Sequence, residues 1–401
     1  MVAISAKKKR ANAFAAQSRH ALYLINFLFS LHVALLSYYL STFLVHRGFP
    51  NSFIGILFAV GSMIALIAIA YAPRALKTYG NYTNLLALGL LEILAFVSLI
   101  YAKNLLLIFF LFLIIFVVPT LIAYSLDIFL KGSSNDTHDT GGIRGIFLTV
   151  ANVAWIGAPL VGGILVAGEH FERLFFVSIL IFIPFIFLSS RQLHHFRDPK
   201  YEKLNVTKFM GTLRRDVNLR NIFLSQFLLR FFFSIMVIYF PLYIHEVLLM
   251  PLSSIGTIIA IATLAYVILE IPLGRMLDSS YWSTKQVLIL GFAIIAVTTA
   301  ALSFITAGSL LMWALLMFIT RTGAAMIEVA SESYFFKHVA AADTDDVSAF
   351  RMLSPLAYIV SPLFGTLVLF FIPLQFIFLA AACVMLTGIL CASQIHEGIT
   401  K

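Results

Sequence analysis

Residues 71–89 read YAPRALKTYGNYTNLLALG, and residues 271–291 read IPLGRMLDSSYWSTKQVLILG. Each is a short charged turn that closes one long apolar run and opens the next. The two turns keep step with their surroundings. Gly55 precedes Pro73 by 18 residues, and Gly256 precedes Gly274 by 18. The shared offset of 201 sets Lys77 over Asp278, and nearly the same offset sets Gly89 over Gly291. A further correspondence pairs GAPLVGGIL at 157–165 with VSPLFGTLV at 360–368. The chain therefore reads as two similar halves, each built from the same series of apolar runs.

The composition says what solvent those runs meet. The 401 residues are 61% hydrophobic and only 11% charged, where soluble domains run near a quarter charged. Mean hydropathy is +0.99. A chain this apolar must use lipid as solvent over much of its surface. Apolar runs fall at about 21–45, 52–72, 84–102, 104–130, 145–167 and 173–190, then at about 222–248, 254–277, 285–305, 309–336, 349–370 and 372–393. Each is long enough to cross a bilayer as a helix. The expected fold is an all-α membrane protein of twelve transmembrane helices in two pseudo-symmetric six-helix bundles. The expected segments are a basic N-terminus (1–20), a first bundle (21–190), a linker (191–221), a second bundle (222–393) and a tail (394–401). The first run is too long for a signal-peptide core and reads as a retained span.

Charge placement orients the chain. With the N-terminus in the cytoplasm, 22 of the 27 Lys and Arg fall on the cytoplasmic side. The outer loops hold three, Arg47, Lys103 and Arg173, and two lie within spans. This is the positive-inside pattern. It accounts for the net charge of +9 through anionic lipid headgroups rather than nucleic acid. Three sequons, at Asn81, Asn135 and Asn205, then face the cytoplasm and read as chance matches. Cys383 and Cys391 lie eight apart on one span and cannot bridge. No metal-ligand spacing and no glycine-rich nucleotide loop occurs, so neither a metal, a cofactor nor ATP-driven pumping is expected.

Charges inside spans are costly and therefore informative. Span 10 carries Arg321, Glu328 and Glu332, seven and four residues apart and so on one helical face. Span 7 carries Arg230 and span 1 carries His32. Glu270 shares a face with Gly274 and Asp278 by i,i+4 spacing and is therefore expected to belong to the cytoplasmic gate. Glu92 in span 3 reads equally as a proton site or as a satisfied buried carboxyl. In span 5, Ala154, Ala158, Pro159, Gly162 and Gly163 are small or helix-bending. Such spacing permits close helix approach in lipid, whether for packing alone or for exchange.

Several of these residues carry a resemblance to the major facilitator superfamily. That family's loop 2–3 motif runs Gly-x-x-x-Asp-Arg-x-Gly and recurs in loop 8–9. Here the second copy keeps Gly274, Arg275 and Asp278, and the first is degraded to Pro73, Lys77, Thr78 and Gly80. The family's antiporter motif in span 5 falls on Gly145, Ala154, Ala158, Pro159, Gly162 and Gly163, with two glycines replaced by alanine. The resemblance implies that spans 1, 4, 7 and 10 line a central cavity. His32, Arg230, Arg321, Glu328 and Glu332 would then face one aqueous path, with Tyr38, Tyr39, Tyr124, Tyr239, Tyr243 and Trp313 as polar-tipped walls. It also implies a cytoplasmic gate in which Asp278 meets Arg144 and the start of span 5. On the other side of that gate the charges look inverted, with Arg74 and Lys77 opposite Asp343, Asp345 and Asp346.

The expected activity is secondary transport by alternating access, with Glu328 as the coupling carboxylate, held between desolvation and the two arginines. A fixed Arg321–Glu328 structural pair is the rival reading. Span 5 favours proton-coupled efflux of lipophilic compounds. The two arginines favour instead a proton-coupled uptake symporter for a small anionic or polar solute. An embedded enzyme built on His338 and Asp343, an H-x4-D spacing, explains far less of the chain. The expected partners are a small-molecule substrate, protons and the lipid bilayer. A monomer in a bacterial inner membrane is the expected setting.

Overall fold

The computed structural model of the protein describes residues 2–133, 140–196, 198, 216–278, 282–306, 309–338 and 344–396. Among the described residues every regular element is a helix. Lipid offers no partner to a backbone N–H or C=O, so a spanning segment must satisfy its own.

The run at 21–45 is two helices, not one. Helix α1 (Val2–Ser37) ends at a turn through Tyr38 and Tyr39, and α2 (Leu40–His46) completes the span. The Tyr39 carbonyl opens α2, accepting from the Phe43 N–H at 2.9 Å and from the Thr42 hydroxyl at 2.9 Å. The first half continues with α3 (Asn51–Tyr79), α4 (Asn81–Tyr101), α5 (Leu105–Ser133), α6 (Thr140–Leu165) and α7 (Phe171–Gln192). The second half comprises α8 (Val217–Leu242), α9 (Leu252–Asp278), α10 (Thr284–Leu302), α11 (Leu310–His338), α12 (Thr344–Leu369) and α13 (Ile377–Ser393). Eleven of the spans are long and apolar enough to cross a membrane by themselves, and the described apolar part of α6, Thr149–Leu165, supplies the twelfth. The fold is an all-α, twelve-span membrane fold.

Between α3 and α4 the chain turns at Gly80, whose φ of +79° favours glycine. Just beyond it the Asp198 carboxylate accepts from the Asn81 N–H at 3.1 and 3.3 Å, a negative charge at the start of α4.

The chain divides into two compact units. The first takes Met1–Ser37, Ile64–Val166 and His170–Glu202. Within it α1 packs on α6 and α7, and α4 packs on α5 and α7. Leu22, Ile25, Phe29, Leu85, Ile122 and Phe182 form the centre of its core. Ala154 and Ala158 on α6 are buried, as are Pro159, Gly162 and Gly163. The Asn26 amide on α1 donates to the Phe147 carbonyl on α6 at 2.8 Å.

The second unit takes Tyr38–Met63, Ala167–Glu169 and Lys203–Lys401. Here α9 and α10 pack on α11, α10 packs on α13, and α12 and α13 pack on α8. Helix α8 is its axis. In its 18-residue apolar window 83% of residues are buried, which is why apolar side chains occur on more than one stripe of it, with Gln226 and Arg230 set among them. The Tyr239 hydroxyl on α8 donates to the Pro362 carbonyl on α12 at 3.0 Å. Gly55 on α3 and Gly365 on α12 are the clearances that admit the tyrosine. A Cβ at either would overlap its side chain. The α10–α11 crossing is as tight. A Cβ at Gly323 would stand 2.7 Å from the Gly291 carbonyl.

Stripes of large apolar residues remain exposed at helical spacing, such as Phe176, Leu180, Ile183 and Phe187 on α7. They form the surface that lipid covers.

Candidate functional site

A charge cluster lies inside the second unit. Arg230 leaves α8 toward α11, and its Nη2 donates to Glu328 Oε1 at 2.8 Å. Glu332, one turn further along α11, is 3.9 Å from the same nitrogen. The Gln226 side chain, one turn before Arg230, is oriented by its neighbours. Its oxygen accepts from Arg230 Nη2 at 2.9 Å and Nε at 3.3 Å, while its nitrogen donates to the Ser331 hydroxyl at 2.9 Å. The amide orientation follows from this network. Glu270 on α9 is half-buried and lies within electrostatic reach of both Glu328 and Glu332.

Arg321 takes a different partner. Its Nη2 donates to the Tyr38 hydroxyl at 3.0 Å. Its guanidinium lies over the Phe233 ring, 5.0 Å from the centroid, and that of Arg230 lies 5.6 Å from the same centroid. The negative face of one aromatic ring thus serves two cations. Tyr266 and Tyr358 lie within electrostatic reach of Arg321.

Three carboxylates and two guanidiniums therefore share one region. The exposure of the central pair matters to its chemistry. Arg230 and Glu328 side chains are 25% and 22% exposed, so the protein around them does not seal the pair. Arg321 is 5% exposed and fixed by its stack. The cluster can hold a proton on a carboxylate, release a guanidinium, and offer that guanidinium to an anionic or polar group.

The other expected residues have other surroundings. Trp313 is buried against Phe240 and Tyr243, ring centroids 6.1 and 5.8 Å away. Tyr239 is engaged with Pro362. Tyr124 lies half-buried on α5 of the first unit. His32 is fully buried in the first unit beside Glu92 and Ser178. Of the gate residues, Lys77 and Arg275 are exposed, and open space surrounds Gly274. Arg144, Gly145, Asp278 and Asp346 lie outside the described side chains. An apolar hollow of about 420 Å³, lined by Ala301, Ile305 and Leu316 among others, touches none of the charged cluster.

Gln226, Phe233 and Tyr266 escaped the sequence reading. The signal was there for two of them. Gln226 stands four residues before Arg230, and Tyr266 four before Glu270, so each shares a helical face with a charge. Phe233 is one of three consecutive phenylalanines, and nothing in the sequence separates it from its neighbours.

No curated protein matches the sequence significantly. Among solved structures, the nucleoside transporter NupG superposes with a TM-score of 0.74 at 12% identity, covering 95% of this chain and 99% of that one. A bacterial homologue of the human lysosomal transporter Spinster, in an inward-facing and occupied conformation, superposes with a TM-score of 0.70 at 12% identity, covering 96% and 97%. At these identities the likeness is one of fold. The sequence profile of the Major Facilitator Superfamily fits residues 136–340 and again 222–394, overlapping as an internal repeat would allow. Between them the two matches run through more than half of the chain, and we conclude that this protein belongs to the Major Facilitator Superfamily.

Proposed function

We propose that the protein is a proton-coupled secondary transporter working in the direction of efflux, with Glu328 as the coupling carboxylate. Family and fold make it a transporter that works by alternating access. Proton coupling rests on one observation, the 2.8 Å bond between Arg230 and a partly exposed Glu328, with two further carboxylates close by.

With Glu328 ionised, Arg230 is committed to it, to Gln226 and more loosely to Glu332. A proton on Glu328 removes one charge from the pair and weakens the bond. Arg230 then turns to the Gln226 oxygen, to Glu332, or to an acceptor on the substrate. Glu270 and Glu332 sharpen the exchange, since neutralising one of three mutually repelling carboxylates relieves the other two. Antiport requires proton and substrate to exclude one another, and a cationic or hydrogen-bond-donating substrate that needs Glu328 ionised does compete with the proton for that carboxylate; an acceptor group taking the freed Arg230 would instead bind together with the proton, as in symport. The small-residue face of α6, with Pro159 at its centre, belongs with this reading by its likeness to the family's antiporter motif.

The alternative is uptake of a small anionic or polar solute with the proton. Arg230 and Arg321 on one ring favour it, being suited to an anion, and the panel below includes nucleosides because one fold neighbour carries them. The proposed setting is a bacterial inner membrane, with both termini cytoplasmic, two six-helix bundles, and a monomer as the working unit.

The test is fluorescence quenching in everted vesicles with an acid interior. Lipophilic cations, neutral drugs, organic acids, sugars and nucleosides are added one at a time. Substrate-dependent alkalinisation that is lost in Glu328→Gln supports antiport and names the substrate class. Alkalinisation that persists unchanged in Glu328→Gln sinks the assignment of that carboxylate.

A further inference from the structure

The first unit holds a second ionisable pair that the Glu328 mechanism leaves unused. His32 lies on α1, Glu92 on α4 and Ser178 on α7, and all three are 0% exposed. His32 Nε2 is 3.0 Å from Glu92 Oε1. On the other side of the ring, the Ser178 hydroxyl is 2.7 Å from Nδ1, and the Ser178 carbonyl 3.4 Å. The imidazole lies on Phe182 at 4.3 Å between centroids and meets the edge of Phe96 at 5.2 Å. Among the described residues Glu92 Oε2 has no hydrogen-bond partner.

Among the described side chains no charge balances this pair. Helix α4 has no charged residue besides Glu92. On the helices packed against it, Asp127 of α5 and Glu172, Arg173 and Arg191 of α7 are exposed and lie toward helix ends. His20, at the start of the described side chains of α1, is exposed, and the described side chains of α6 include no ionisable group. A neutral histidine beside an ionised Glu92 would leave one uncompensated negative charge in a dry site, the costliest arrangement available. One added proton makes the site neutral.

The geometry says where that proton sits. In the tautomer in which Nδ1 accepts from the Ser178 hydroxyl, Nε2 donates to Glu92 Oε1. The imidazole is then neutral and fully paired. The remaining proton goes to Oε2, the one atom with no donor facing it. A permanent structural pair would be better served by arginine, which keeps its charge. A simple hydrogen bond would be served by glutamine. Histidine with glutamate is the combination that can gain and lose a proton.

We propose that Glu92, supported by His32 and Ser178, is a second proton-binding site of the transporter. It carries its proton on the carboxyl while the site is dry and gives it up only when water reaches the junction of α1, α4 and α7. The proton's part in transport rests on the proton-coupled reading above; its presence on Glu92 does not.

The test is infrared spectroscopy of the purified full-length protein at neutral pH, reading the carbonyl band of protonated carboxylic acids. Glu92→Gln should lose one such band relative to wild type, and Glu328→Gln should keep that band. His32→Gln should shift the band in frequency without abolishing it, which covers the case in which Glu92→Gln does not fold. If the Glu92→Gln spectrum retains every carboxylic-acid band, or the His32→Gln spectrum shows no shift, the proposal is overturned. The Glu328 assignment would survive either result, since it is judged by vesicle transport.

Discussion

Gly55 offers the sharpest test of how tightly the second unit is closed around α8. A methyl at this position would collide with three oxygens at once: the Tyr239 hydroxyl, the Pro362 carbonyl and the Thr366 hydroxyl. The Pro362 carbonyl is backbone and cannot rotate away. Tyr239 is fully buried, and its hydroxyl donates to that same carbonyl at 3.0 Å. Gly55→Ala therefore has two ways to relax. Tyr239 can swing out and lose its bond, leaving buried polar atoms unpaired, at about 1–3 kcal/mol. Or α3 can move off α8 and α12, an overpacking cost of about 1–3 kcal/mol. A net loss of about 2–3 kcal/mol is expected, read as a lowered thermal midpoint of the purified protein in detergent. The mechanism is checked by a double-mutant cycle with Tyr239→Phe. Removing the hydroxyl clears part of the space the methyl needs. The double variant should then be more stable than the sum of the single losses by about 1 kcal/mol. Strict additivity would refute the argument that the hydroxyl and the missing Cβ compete for one space.

Arg230→Gln should destabilise more than Glu328→Gln, by about 1–2 kcal/mol after allowing for partial exposure. Losing the arginine leaves three carboxylates facing one another, while losing Glu328 leaves Arg230 with Glu332 and Gln226; thermal midpoints decide the order. Leu249 sits at φ +54° and is 82% exposed, so Leu249→Gly should raise stability by about 1 kcal/mol by relieving left-handed strain, measured the same way. Gly323→Ala should cost about 1–3 kcal/mol because its Cβ meets the Gly291 backbone. Gly274→Ala, with open space around it, should be neutral or stabilising by up to about 1 kcal/mol from helix propensity, and the two variants compared side by side check the assignment of tight and loose glycines.

The spans were legible because lipid leaves a chain few options, and a run such as 104–130 reads as a spanning helix on composition alone. The position of the charges was legible for a related reason. Arg230, Arg321, Glu328 and Glu332 stand out against apolar neighbours whatever their partners are. Pairing was harder to read. Arg321 and Glu328 share a helical face, yet seven residues separate them by about 10 Å along the axis. Arg321 reaches Tyr38 instead, a partner 283 positions away. Glu92 was visible as a buried acid but open in meaning, because its partner His32 lies 60 residues earlier on another helix. The break in span 1 carries no proline or glycine, so nothing local announced it.

Phe233 is the only side chain that both guanidiniums overlie among the described cation–ring contacts. One consequence is mechanical. The two arginines have different partners, Glu328 for one and Tyr38 for the other, and they are joined through a benzene ring with no proton to exchange. Whatever draws Arg230 away also changes the charge above that ring and so the hold on Arg321. Span 7 would thereby send word of a protonation event to Tyr38, at the bend of span 1, by the displacement of an oily side chain. A leucine at position 233 would keep the site apolar and carry no such message.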